Sequence, residues 1–240
     1  MGKKTNDMKS LTKGEKYKLL KGHKFQFGLG WTGLCGGDLD ASAIVYDSAG
    51  AALGLTSFDS KYPGIFTSGD NRSGEGDGDD ETITIDFNDL NPAVSTIFLV
   101  ISTFCVVPCN TFMTVPGTHV NIYKTEDMYG DIAKGVATFT AIEWWRAIIS
   151  PANHIIVGAI NRYADGQWEF EALGWPQTHL GCACSASCLK DRSLSLPAYA
   201  RRFGQSQNGA TGERVDNPQG VSVVQPTNAQ DIQLMTERLT

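Results

Sequence analysis

No stretch of this 240-residue sequence is apolar for long enough to cross a bilayer. The longest, Thr96 to Pro108, is about half a span and is interrupted by Ser102 and Thr103. The start has no apolar h-region of a secretory leader, so a soluble, intracellular protein is expected, with the cytoplasm as its compartment. The Met-Gly start has Asn6 where an acylation signal wants Ser or Thr. Cysteine is sparse: Cys35, Cys105, Cys109, Cys182, Cys184 and Cys188 are too few and too uneven for a disulfide framework, and reduced thiols are expected. Histidine is sparser still, at positions 23, 119, 154 and 179. No nucleophile elbow, H-E-x-x-H or Walker pattern accompanies any Ser or Lys, so the residues nominate no enzyme. Helical periodicity is almost missing.

What is present is β material. With 41% hydrophobic and 10% aromatic residues the chain can build one sizeable core, and its length suits a single domain with extensions. Period-two patterns run over Lys24–Gly28, Asp40–Asp47, Thr82–Phe87, Ser95–Phe104, His119–Lys124, Ala137–Trp145 and His154–Tyr163. Asp47-Ser48-Ala49-Gly50 is a turn signal, and Asp165-Gly166 joins Gly158–Tyr163 to Gln167–Leu173 as a tight hairpin. The fold class expected is all-β: a β-sandwich of two mainly antiparallel sheets with a few short helices, such as a turn at Asp89–Pro92 and a piece at Met128–Lys134. Residues 1–18 form a basic N-terminal segment, 19–180 the sandwich domain, and 181–240 a Cys-containing polar extension. From Lys190 onward Gly, Ser, Gln, Asn and Pro replace the aromatics, which predicts a low-structure tail without its own core.

The net charge of −6 is segregated. Met1–Lys24 holds eight lysines against two acids, and Asp70–Asp89 holds eight acids against Arg72, sums of +6 and −7 that leave −5 for everything else. That remainder is ordinary for a soluble domain and argues against a nucleic-acid partner. The lysines at the start follow no helical stripe and are read as a solvated segment, peripheral contact with anionic lipid being the weaker reading.

From Gly69 the chain reads G-D-N-R-S-G-E-G-D-G-D-D-E, placing Asp70, Asn71, Glu75, Asp77, Asp79, Asp80 and Glu81 as oxygen donors within thirteen residues. Two carboxylates about 5 Å apart at an effective dielectric near 20 repel by roughly 3 kcal/mol, so folding such a run tightly calls for a cation among them. Glycines at 69, 74, 76 and 78 let the backbone curl so that carbonyl oxygens join side chains, the mixture calcium prefers. Zinc is excluded because the run has neither His nor Cys. An EF-hand is excluded too: Arg72, Gly74 and Glu75 stand where its loop needs an oxygen donor, another donor and the turn glycine. A second acidic pair, Asp38-Leu39-Asp40, opens a strand whose alternation puts both carboxylates on one face. If both segments converge, they supply donors for two neighbouring ions.

Three pieces, Gly28-Leu29-Gly30-Trp31, Asp38 to Ala43 and Gly69 to Glu81, together resemble the TerD family of tellurium-resistance and stress-response proteins, over about Leu19 to Trp175. The resemblance implies a β-sandwich that binds two calcium ions between the loops at one end and has no established enzymatic activity. Carried over by position, the implied ligand candidates are Asp38, Asp40, Asp70, Asn71, Glu75, Asp77, Asp79, Asp80 and Glu81. Thr32 departs from the pattern, Cys105–Pro116 and Trp144–Asn153 look longer or more apolar than the usual connections, and Cys182 onward has no counterpart.

Weaker signals are set aside. Gly28 to Gly33 matches G-x-G-x-x-G by letter but no helix pattern follows it, so its glycines are read as easing entry to the Asp38 strand. Cys182, Cys184 and Cys188 lack a second pair at zinc spacing. Tryptophans 144, 145, 168 and 175 are expected as core or interface anchors. The function expected is a calcium-binding, non-enzymatic stress-response or interaction module with protein partners. The alternative is a structural or accessory subunit of a larger assembly, in which the sandwich is a scaffold.

Overall fold

In a computed structural model of the chain, the residues described are 8–21, 23–31, 38–71, 78–103, 112, 118–125, 132–141, 152–177 and 186–207. All belong to one compact unit, residues 1–210. The alternating patterns close into two six-stranded sheets. One has the order β1 (Lys9–Leu11), β10 (Ile132–Thr140), β9 (His119–Thr125), β3 (Phe25–Gly30), β7 (Glu81–Ile85), β6 (Ile65–Thr67). The other runs β2 (Lys16–Leu19), β12 (Trp168–Gln177), β11 (His154–Arg162), β8 (Val94–Thr103), β4 (Leu39–Asp47), β5 (Ala52–Thr56). Apart from β1, which runs parallel to β10, neighbours are antiparallel. The expected sandwich is what the chain forms.

The core lies between the sheets. Phe27, Ile83 and Ile122 from one sheet pack with Leu39, Leu99 and Ile155 from the other, and Phe27 meets Phe170 across the gap with ring centroids 5.9 Å apart. The expected hairpin joins β11 to β12: Gly166 takes φ +76°, Tyr163 N–H donates to Gln167 O at 2.8 Å, and the Asp165 carboxylate accepts from Gln167 N–H at 2.8 Å. The lysine-rich start contributes β1 and β2, so Lys9, Lys16 and Lys18 stand on edge strands, where charge discourages edge-to-edge pairing.

One expectation changes. The helical piece expected over Met128–Lys134 gives way at Ile132–Lys134 to strand, because β10 pairs with β9 through two register shifts; residues 128–131 lie outside the described set. The β10 strand is described to Thr140, and residues 142–145 of the expected Ala137–Trp145 pattern lie outside the described set.

The polar extension also carries structure. Helices α1 (Ala186–Arg192) and α2 (Ser195–Gln207) cover the outer face of the β4–β8–β11 sheet. That face is apolar, with Ile44, Tyr46, Phe98, Val100 and Ile156 pointing away from the inter-sheet core, and these strands are buried along nearly their whole length. Leu189, Leu196 and Ala200 fill it, and burying each leucine contributes about 1.5–3 kcal/mol. Helix α2 comes close because Gly204 carries no side chain: a Cβ there would overlap the Ser48 carbonyl oxygen. Cys188, expected as a reduced thiol, is disulfide-bonded, its partner lying outside the described residues.

Candidate metal centre

Asp38 and Asp40 flank the first residue of β4, whose Leu39 and Ala41 enter the core, so alternation turns both carboxylates away from the inter-sheet space. Asp70 arrives from the segment after β6. One carboxylate oxygen from each of Asp38, Asp40 and Asp70 falls within 4.8 Å of the others. Asp40 is 5% exposed, which makes this a partly desolvated cluster rather than a solvated strand end.

Glu81 holds the two halves together. It is the first residue of β7, on the opposite sheet, and its side chain is 4% exposed. Oε2 accepts from Ala41 N–H at 2.8 Å and Oε1 from Asn71 N–H at 3.0 Å. The β5 pairing begins only at Ala43, so the start of β4 extends past its neighbour and Glu81 takes the Ala41 donor. Burial pushes the Glu81 carboxyl up to about 7; the two backbone bonds oppose that rise, and the charges of Asp40 and Asp70 add to it.

The next two acids address the other sheet. Asp79 accepts from Asn121 Nδ2 at 2.8 Å, and Tyr123 on the same strand is raised far above the usual phenol range by burial and then by its hydrogen bond to Asp79. Asp80 Oδ2 accepts from Trp31 N–H at 2.8 Å, and its own N–H donates to Leu29 O at 2.8 Å. Burial raises the Asp80 carboxyl, the Trp31 bond and His119 opposing and Asp79 adding. These contacts account for the glycines of the Gly28–Trp31 motif. A Cβ on Gly28 would overlap the Asp79 carboxylate, and one on Gly30 would overlap the His119 ring. The motif therefore leaves room beside β3 for the acidic run and for β9, a different role from easing entry to the Asp38 strand.

Of the nine residues named from sequence, then, the structure gathers Asp38, Asp40 and Asp70 into one cluster, with Glu81 and Asn71 bonded beside it. Asp79 and Asp80 lie against β3 and β9. Glu75 and Asp77 lie outside the described residues. Sequence reasoning missed His119 and Asn121, which pair directly with Gly30 and Gly28; their alternation on β9 opposite two glycines was the available signal. Chemically, the cluster is a set of close, partly buried carboxylate oxygens, a donor set that fits a hard divalent cation and, among the described residues, includes no nitrogen or sulfur for a softer one.

Comparison with known proteins bears on the family and the fold. The family model described as TerD domain matches residues 8–179. The chain is 30% identical over 169 residues to the tellurium resistance protein TerZ of Serratia marcescens, covering 63% of this chain and 79% of that one. It is 29% identical over 181 residues to general stress protein 16U of Bacillus subtilis, covering 69% and 89%. The crystal structure of a homologue of telluride resistance protein (TerD) from Streptomyces coelicolor superposes with a TM-score of 0.54 at 20% identity, over 70% of this chain and 94% of that one, a likeness of fold.

Proposed function

Because the chain belongs to the TerD domain family, which includes tellurium-resistance and stress proteins, we propose that it is a calcium-binding, non-enzymatic module whose ion-filled loop end is its interaction surface for protein partners. The observation that carries this reading is the convergence of Asp38, Asp40 and Asp70 within 4.8 Å. Three carboxylates at that separation repel strongly, and burial of Asp40 and Glu81 removes the water that would screen them. A divalent cation offsets the repulsion. Calcium accepts six to eight oxygens in loose geometry, whereas magnesium demands a tighter octahedron and retains more water. Asp79 and Asp80, which lie against β9 and β3, are the described carboxylates of the run left for a second ion.

Calorimetric titration of metal-free protein with calcium, run in parallel with magnesium, tests the reading. Calcium is expected to bind more tightly, and Asp40→Asn or Asp70→Asn is expected to weaken it at least tenfold. No heat at millimolar calcium sinks the proposal.

A further inference from the structure

At the end of the sandwich away from the acidic cluster, a cleft of about 300 Å³ opens between the β11–β12 hairpin, the residues before β8 and the C-terminal turn of α2. Its walls include Ser48, Ala93, Ser95, Arg162, Gly204 and Gln207. Among the described residues that line it, Arg162 is the cation and none is an acid, in a chain whose net charge is −6. The guanidinium is fixed in place: Nη1 donates to Pro92 O at 3.0 Å, and its carbon sits 5.8 Å from the centroid of the Trp168 ring. An arginine has five N–H donors in a rigid fork, and a single bond to Pro92 leaves several for a ligand. The hydroxyls of Ser48 and Ser95 add donors that rotate to fit. Gln207 closes the wall from α2, its Oε1 accepting from Ala164 N–H at 3.4 Å.

We propose that this cleft binds a small molecule bearing one oxyanion group, a carboxylate or a phosphate, with Arg162 as its anchor. The volume sits at the lower bound for small-ligand sites and suits a compact body of one ring. The anion pairs with the arginine fork in two parallel N–H···O bonds, and the body rests on Ala93 and the backbone at Gly204 and Gly166. Gly204 and Gln207 come from α2, beyond the residues 8–179 that match the domain family, so this chain builds the site from a shared sandwich and an added helix.

The test is a titration of the full chain followed by amide NMR, with benzoate, phenyl phosphate and the neutral isostere benzamide as probes. A ligand of this size is expected to bind with a dissociation constant on the order of 1 mM. Benzoate or phenyl phosphate is expected to shift the amides of Ala164, Gly166 and Gly204, and which of the two binds more tightly identifies the anion class. Benzamide is expected to bind at least tenfold more weakly. Arg162→Gln is expected to abolish the shifts, and Ala93→Phe, which fills the cleft without touching the bond to Pro92, to abolish them in a protein with unchanged thermal stability. Equal binding of benzamide, binding that survives both substitutions, or no shift with either anion overturns the proposal.

Discussion

The two ends of the sandwich are built from opposite electrostatic choices. At one, Asp38, Asp40, Asp70 and Glu81 crowd together, with Asp79 and Asp80 alongside. At the other, Lys16 lies 3.1 Å from Glu169 and Tyr163 donates to that same carboxylate, a paired set, while Arg162, held by a backbone carbonyl, keeps donors for a ligand. Paired charges contribute modestly and ask for nothing more. Crowded ones hold the fold at a cost that an added ion or proton relieves. The difference locates where this protein's stability depends on its solution.

The largest expected effect follows from Glu81. Its folded pKa of about 7 lies above the ordinary 4.5, so between those values the folded state binds more protons than the unfolded state. Stability of metal-free protein should therefore fall as pH rises from about 4.5 to about 7, by about 3 kcal/mol over the window. Thermal melts in chelator across that range measure it, and Glu81→Gln should flatten the curve. A flat profile in the unsubstituted chain would mean that the acidic end is solvated.

Calcium should reverse that dependence, since an ion favours the ionised carboxylate. At a hundredfold excess over its dissociation constant, one bound ion adds about 2.7 kcal/mol by mass action. The rise in melting temperature on adding calcium is expected to vanish in Asp38→Asn with Asp40→Asn, and to be absent at any pH low enough to protonate the cluster.

A smaller effect is expected at the opposite end. Tyr199 of α2 accepts from Asn161 Nδ2 at 2.7 Å and donates to Glu171 Oε2 at 2.9 Å, and burial holds its phenol well above the usual range, so it remains a donor. Tyr199→Phe removes both bonds and leaves the buried Asn161 amide and the half-buried Glu171 carboxylate each short of one partner, at a cost of about 1–2 kcal/mol. Chemical denaturation should report that loss with no change in calcium affinity.

How much of this was legible in the sequence differs between the same two regions. The acidic cluster was visible because its chemistry is local: Asp38 and Asp40 share a strand face, and a run as dense as Asp70 to Glu81 has few reasons to exist. That Glu81 would reach across to Ala41, or that Gly28 would be vacant for Asp79, depends on which strands pair, and pairing between residues about 40 to 50 apart leaves little local trace. The helical cap was illegible for another reason. The face of α2 that meets the sheet is Leu196, Ala200 and Gly204, one leucine and two small residues at a spacing of four, and its stripe is too faint to register amid Arg, Gln and Ser. The stronger trace lay in the strands it covers. Runs such as Val94–Thr103, buried along both faces, imply a cover on each side, and only one cover is the other sheet.

The weakest expected effect is an absence of coupling. The acidic cluster draws Asp40 from β4, a strand of the sheet that the α2 cap covers, but the bonds of Glu81 to Ala41 and Asn71 and those of Tyr199 to Asn161 and Glu171 have no residue in common. Mutations that share no partner usually add within about 0.5 kcal/mol. A double-mutant cycle between Asp40→Asn and Tyr199→Phe, measured by denaturation in chelator and again in calcium, is therefore expected to close within that margin in both. A larger interaction energy in calcium alone would mean that ion binding at one end is felt by the helix at the other, carried by the sheet that β4 belongs to, and the two ends would then be one device.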